Sequence, residues 1–171
     1  MCRNAPPWFT EKQRFRQWWV WLLVLWGPGF FIWAILQQVI MGAPIGNNPT
    51  SDLVLILLAV IFGAGLPGFI FVCGLDTEVN QHGVRIRFRP FHRRWVVFNF
   101  ESIQTAEAIT YSPLKDYGGW GIKYGRKGKA YNVSGNTGVL LTMKNGKCVL
   151  IGSMDHEALG RRIQQGLVKH P

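Results

Sequence analysis

The chain is short of charge, of acids and of cysteine. Charged residues make up 16% of its 171 positions, against roughly 25% in an average soluble protein. Asp and Glu together number 9 beside 19 Lys and Arg, for a formal charge of +10. With 48% apolar residues, this composition excludes a disordered chain and argues against an ordinary soluble domain. Three cysteines, Cys2, Cys73 and Cys148, are too few and too scattered for a disulfide framework. No Cys-x-x-Cys or His-x-x-x-His occurs, so His82, His92, His156 and His170 offer no metal-ligand spacing. A phosphate-loop signature and a G-x-S-x-G elbow are both missing. Gly63-Ala64-Gly65-Leu66-Pro67-Gly68 spells a dinucleotide fingerprint, but inside an apolar run with an acid, Asp76, far too close. No nucleophile, metal or cofactor can be nominated. The expectation is a protein without enzymatic chemistry and without a cofactor.

In two places charge is absent altogether. Trp18 to Leu36 gives 19 uncharged residues and Leu53 to Leu75 gives 23. As helices they would span about 28 and 34 Å, against a hydrocarbon core of roughly 30 Å. Between them lies a short loop with Gly42, Pro44, Gly46, Asn47, Asn48 and Pro49, long enough only for a hairpin. A cleaved signal peptide has a shorter apolar core and a small-x-small site, which does not clearly follow here. Pro28 should kink the first span. Gly63, Gly65, Pro67 and Gly68 could form the contact face of the second. The spans hold no charge of the kind that marks an ion or proton path, which weakens a transport or channel subunit formed by self-association.

Lys and Arg near the span ends set the expected orientation. Arg3, Lys12, Arg14 and Arg16 precede the first span, and Arg85, Arg87, Arg89, Arg93 and Arg94 follow the second, while the connecting loop has no base. Both termini are therefore expected on the cytoplasmic side of a plasma (inner) membrane. Trp8, Trp18, Trp19 and Trp21 suit an aromatic belt at that boundary. The division is 1–17 as a basic cytoplasmic segment, 18–41 as the first membrane helix and 42–52 as an external loop. Residues 53–75 follow as the second helix and 76–171 as a cytoplasmic domain.

That domain carries 15 bases and 7 acids. Val84-Arg85-Ile86-Arg87-Phe88-Arg89 alternates as a strand with one wet face. Pro90 marks a turn, with Trp95 to Phe100 as the partner strand and Ile103 to Tyr111 as a third. Tyr111 to Gly121 reads as a long ordered loop before a strand at Ile122. Ala130 to Ser134 is another strand. Val139 to Met143 and Cys148 to Ile151 flank Asn145-Gly146, a hairpin signal. Ser153 or Asp155 can cap a helix with Leu159, Ile163 and Leu167 on one face. Six or seven short strands and a terminal helix make the expected fold α+β. A transmembrane helical hairpin is followed by a small antiparallel β barrel or sandwich with a C-terminal helix.

Leu75-Asp76-Thr77-Glu78-Val79, Gly83-Val84-Arg85-Ile86-Arg87-Phe88, Pro90-Phe91 and Ile103, placed after two apolar spans, resemble the bacterial membrane proteins with pleckstrin-homology-like (PH-like) domains. Tyr117-Gly118-Gly119-Trp120-Gly121-Ile122 with Ala130-Tyr131-Asn132-Val133-Ser134-Gly135-Asn136 resembles one uncharacterised branch of them. The resemblance covers nearly the whole chain. It implies a split barrel or sandwich plus helix, membrane attachment and a binding module rather than an activity.

Two groups of residues are candidates for contact. Tyr117, Gly118, Gly119 and Trp120 could form a partner-binding loop, although glycines there also permit positive φ and close packing. Arg85, Arg87, Arg89, Arg93 and Arg94 could touch anionic lipid, with Lys123, Arg126, Lys127 and Lys129 as a second basic group; a solvated positive surface is the plainer use of such bases. Expected partners are membrane lipid and a membrane or cytoplasmic protein, or a second copy of the chain. Nucleic acid is not expected, because bases and aromatics do not interleave.

Overall fold

A computed structural model describes residues 6–125 and 127–169. Cys2, Arg3, Arg126 and His170 lie outside the described residues. The chain divides into two compact units, one of residues 15–72 and one made from both flanks, 1–14 with 73–171.

The first unit is a pair of apolar helices. Helix α1 covers Trp18–Ile40 and α2 covers Asp52–Val72, each long and apolar enough to cross a membrane. Only 6% of each apolar window is buried. Trp18, Leu22, Leu23, Trp26 and Ile32 of α1 are exposed, as are Leu53, Val60, Ile61 and Phe71 of α2. A core helix of a soluble protein would bury one face; these are apolar on every side. The α-helical turns of α1 continue through Pro28 to Ile35 and then widen to π-helical turns over Leu36–Ile40. Helix α2 widens likewise over Ala59–Gly65, where the glycines lie. Of the small residues expected at the contact face, Gly63 faces α1, where an added Cβ would lie 3.8 Å from Phe31 and Pro28, whereas one at Gly68 would meet open space. The loop is tied across by Gln38, whose amide donates to the Thr50 carbonyl at 2.7 Å and to Asp52 at 2.8 Å.

The second unit holds nine strands among the described residues, in two sheets, and a terminal helix. The first sheet has the order β1 (Phe9–Arg14), β2 (Gly74–Asn80), β3 (Gly83–Arg89), β4 (Val96–Asn99), antiparallel throughout. The second combines β5 (Ile103–Thr110), β6 (Gly121–Gly125), β7 (Gly128–Asn132), β8 (Thr137–Met143) and β9 (Cys148–Gly152) in the order β5-β8-β9-β7-β6. No closed barrel results, and β7 pairs with β9 in parallel, a departure from the all-antiparallel expectation. Strand β3 alternates as expected: Val84, Ile86 and Phe88 are buried, and Arg85, Arg87 and Arg89, one after each, are not.

Two further differences concern the boundaries. Residues 9–14, read from sequence as part of a basic tail, form an edge strand of the first sheet. Gly74 and Leu75, read as the end of a membrane helix, open strand β2. The domain therefore takes in chain from before α1 as well as after α2. Arg14, the last residue of β1, pairs with Gly74, the first of β2. The whole helical hairpin is an insertion between two hydrogen-bonded neighbours.

The stretch read as a long loop contains a short helix, α3 (Pro113–Tyr117). Pro113 stands at its start, where a missing N–H costs nothing. Gly118, at φ 72°, ends it: its N–H donates to the Leu114 carbonyl and that of Gly119 to Pro113. The terminal helix α4 (His156–Lys169) is capped by Asp155, whose carboxylate accepts from the Ala158 N–H at 3.2 Å. Leu159 and Ile163 are fully buried and Leu167 half-buried, on the expected face. Helix α4 packs on β5, with Gly166 set against the Phe100 ring and Gln164 donating to the Ala106 carbonyl.

Candidate functional site

Register places three of the five arginines, Arg85, Arg87 and Arg89. In antiparallel pairs, partnered residues share a face. One row across the first sheet is therefore Arg14, Gly74 and Arg89; the next is Lys12, Asp76 and Arg87; the third is Thr10, Glu78, Arg85 and Val97. This outer face holds five bases and two acids. Both acids are engaged. Asp76, 3% exposed, accepts from Arg87 at 3.0 Å and from Arg89 at 3.0 Å. Glu78 pairs with Arg85, whose Nε donates at 2.7 Å. The Arg85 and Arg87 guanidinium groups each sit 4.9 Å from the centre of the Trp95 ring. Three of the five candidate lipid contacts are thus held in ion pairs of the sheet itself. Arg93 and Arg94 are different. They are exposed in the β3–β4 turn, and among the described residues neither meets a carboxylate.

That turn is anchored by His92. Its N–H donates to the Phe88 carbonyl at 2.8 Å, and its Nδ1 accepts from the Phe88 N–H at 3.3 Å. The imidazole meets the edge of Tyr131, on β7 of the other sheet, with centroids 5.6 Å apart. Lys129 lies over the Tyr131 ring at 4.8 Å and the Tyr124 ring at 5.3 Å. Burial first, and then the Lys129 charge, push the His92 pKa below its ordinary value. The contact brings one member of the second basic group, Lys129, beside the turn of the first. Sequence separation concealed this, and no local pattern announced it.

The aromatic-glycine candidates are placed differently. Tyr117 is buried against Tyr111, with ring centroids 5.8 Å apart, in a cluster with Ala130 and Leu150. Burial, then the charges of Asp116 and Cys148, raise its pKa. Gly118 ends α3, and Gly119 is buried. Trp120 is half-buried and donates its indole N–H to the Gly135 carbonyl at 3.0 Å. Around them Asn132 accepts from the Gly121 N–H and donates to the Tyr111 hydroxyl. Of the four, Gly118 and part of Trp120 reach solvent, beside the exposed Leu114 and Lys115 of α3.

Sequence reasoning passed over Glu11 and Gln13. Gln13 is buried and donates to the Gly152 carbonyl at 2.8 Å. Glu11 accepts from the Ser153 hydroxyl at 2.6 Å and from the Met154 N–H at 2.9 Å. Strand β1 is thereby fixed both to β2 and to the end of β9. Among the described residues no cluster of His, Cys, Asp and Glu could hold a metal ion, and Cys73 and Cys148 are unpaired thiols.

No protein-family model, curated protein or solved structure matches the chain.

Proposed function

We propose that the protein is a membrane-anchored, non-enzymatic binding module. In this reading the two helices cross the plasma membrane as a hairpin, and the two-sheet domain stands at its cytoplasmic surface, where it takes a protein partner. The observation that carries it is the pairing of Arg14 with Gly74. A hairpin that leaves and re-enters a sheet at one hydrogen-bonded pair suits two crossings with both flanks on one side. It also suits a domain joined to the hairpin at two strand ends rather than at one. Bases on the flanks and none in the loop support the cytoplasmic side. Two mainly antiparallel sheets followed by one helix support a PH-like plan, and from fold alone a function follows only by analogy.

The test is crosslinking of the tagged full-length protein in its membrane, followed by mass spectrometry. A defined protein attached near Leu114 to Trp120 or along an edge strand such as β4 or β6 is the expected result. Recovery of self-crosslinks alone would contradict an adaptor. A second reading, contact with anionic lipid, is favoured by one observation: Arg93 and Arg94 are exposed, with no carboxylate partner among the described residues, at the end of the sheet where the chain departs for the hairpin.

A further inference from the structure

We propose that the β3–β4 turn is a second, non-covalent attachment to the bilayer: Phe91 enters the interface of an anionic membrane while Arg93, Arg94 and Lys129 hold its headgroup phosphates. The inference rests on the reading of the hairpin as membrane-spanning. Position comes first. Arg89 pairs with Gly74, and Gly74 with Arg14. The turn that follows Arg89 therefore begins in the row of residues from which the chain leaves for the hairpin and to which it returns. Turns at the other end of β3 lie a full strand away.

Composition comes second. Phe91 is 61% exposed although its ring lies 6.0 Å from that of Phe88 in the core. An apolar ring at a turn tip beside two exposed arginines has the make-up of an interfacial anchor, apolar body inward and bases at headgroup level. Between Glu78 and Glu101 the sequence has no acid. The carboxylates of the neighbouring face, Asp76 and Glu78, are occupied by Arg85, Arg87 and Arg89. Nothing anionic on those strands competes with a headgroup for Arg93 and Arg94.

Rigidity comes third. His92 fastens the turn through both its backbone and its ring, and its contact with Tyr131 brings up Lys129. The backbone of the turn and Lys129 are held in place before any lipid arrives, which lowers the ordering cost of contact. A phosphodiester surface is the occupant that matches three bases around one apolar tip.

The experiment uses the full-length protein in vesicles of neutral phosphatidylcholine or of phosphatidylcholine with phosphatidylglycerol. A benzophenone amino acid is placed in turn at Phe91, at Leu57 in α2, and at Gln81 in the β2–β3 turn. The proposal expects lipid adducts at position 91 in anionic vesicles, at 57 in both kinds and at 81 in neither. Arg93→Gln with Arg94→Gln should lower the yield at 91 by on the order of tenfold and leave that at 57 unchanged. Adducts at 57 without adducts at 91 overturn the turn's role and leave the hairpin reading standing. Equal yields at 91 in neutral and anionic vesicles, or a protein dimer there in place of lipid, also overturn it. If position 57 fails to crosslink to lipid, the hairpin reading falls and the turn's attachment falls with it.

Discussion

Asp76 is the residue on which the outer face of the first sheet depends. It is nearly out of contact with water and holds two arginines at 3.0 Å. Removing one partner of a buried ionic group leaves the others unpaired, which costs about 3–5 kcal/mol when all are buried. Here the Arg87 and Arg89 side chains keep 36% and 26% of their exposure, so water recovers part of that cost. Asp76→Ala should destabilise the protein by about 2 kcal/mol, read as a lowered midpoint of thermal unfolding in detergent. His92 gives the domain a pH dependence. Its folded pKa lies below its unfolded value of about 6.5, so the unfolded chain binds the proton more readily. The contribution is complete above that value and is lost as pH falls below it, until the folded pKa is passed. The unfolding midpoint should drop between pH 7 and pH 5 more in the wild type than in His92→Gln. Equal drops would show that another group titrates.

At the scale of the element, the two glycines on the buried face of α4 make opposite predictions from one helix. Replacing an interior glycine by alanine gains about 1 kcal/mol of helix propensity. At Gly160 the new Cβ would lie 3.5 Å from that of Ala108, an ordinary contact. Gly160→Ala should stabilise by about 0.5–1 kcal/mol. At Gly166 the Cβ would overlap the Cζ edge of the Phe100 ring, itself fully buried. Overpacking of this kind costs about 1–3 kcal/mol, more than the propensity gain, so Gly166→Ala should destabilise. Denaturant unfolding of the two variants side by side decides it.

Several elements were legible in the sequence because their signals are local. Strand β3 shows its two faces in six consecutive residues, and α4 shows its cap and apolar face in fourteen. The turn through Asn145-Gly146 follows its sequence too, with Gly146 at φ 79°. Strand β1 was hidden because, of its three inward residues, Phe9 alone is apolar and the other two are Glu11 and Gln13. Their partners lie about 140 positions away, beyond β9, so a polar strand looks like a basic tail. The capping of α3 by Pro113 and Gly118 was present in the sequence, but the density of glycine outweighed it. Among the candidate site residues, the arginine alternation was readable. Which arginines are already paired was not, because that depends on strand register.

For the whole molecule, the insertion of the hairpin between β1 and β2 makes the domain discontinuous in sequence. Residues 76–171 alone lack an edge strand and the Glu11 and Gln13 bonds to the end of β9, so that fragment should fail to give a cooperative unfolding transition. A chain in which residues 15–73 are replaced by Asn-Gly should do better. Arg14 and Gly74 are already partners, and a two-residue turn is the natural link between such strands. The shortened protein should be water-soluble and fold with native-like near-ultraviolet dichroism. Aggregation of that chain under conditions that dissolve other small domains would count against the register. Its basic turn can then be studied with and without the membrane tether.

The most direct test of the account is the sidedness of two exposed positions, Asn47 in the hairpin loop and Asn145 in the β8–β9 turn. Each is changed singly, Asn47→Cys or Asn145→Cys, in the full-length protein with Cys2, Cys73 and Cys148 replaced by alanine. Intact cells are then treated with a membrane-impermeant thiol reagent. The account predicts labelling of the loop in intact cells and labelling of the domain only after the membrane is opened. Labelling of both positions in intact cells, or of the domain alone, would contradict a hairpin that crosses twice and leaves the domain inside.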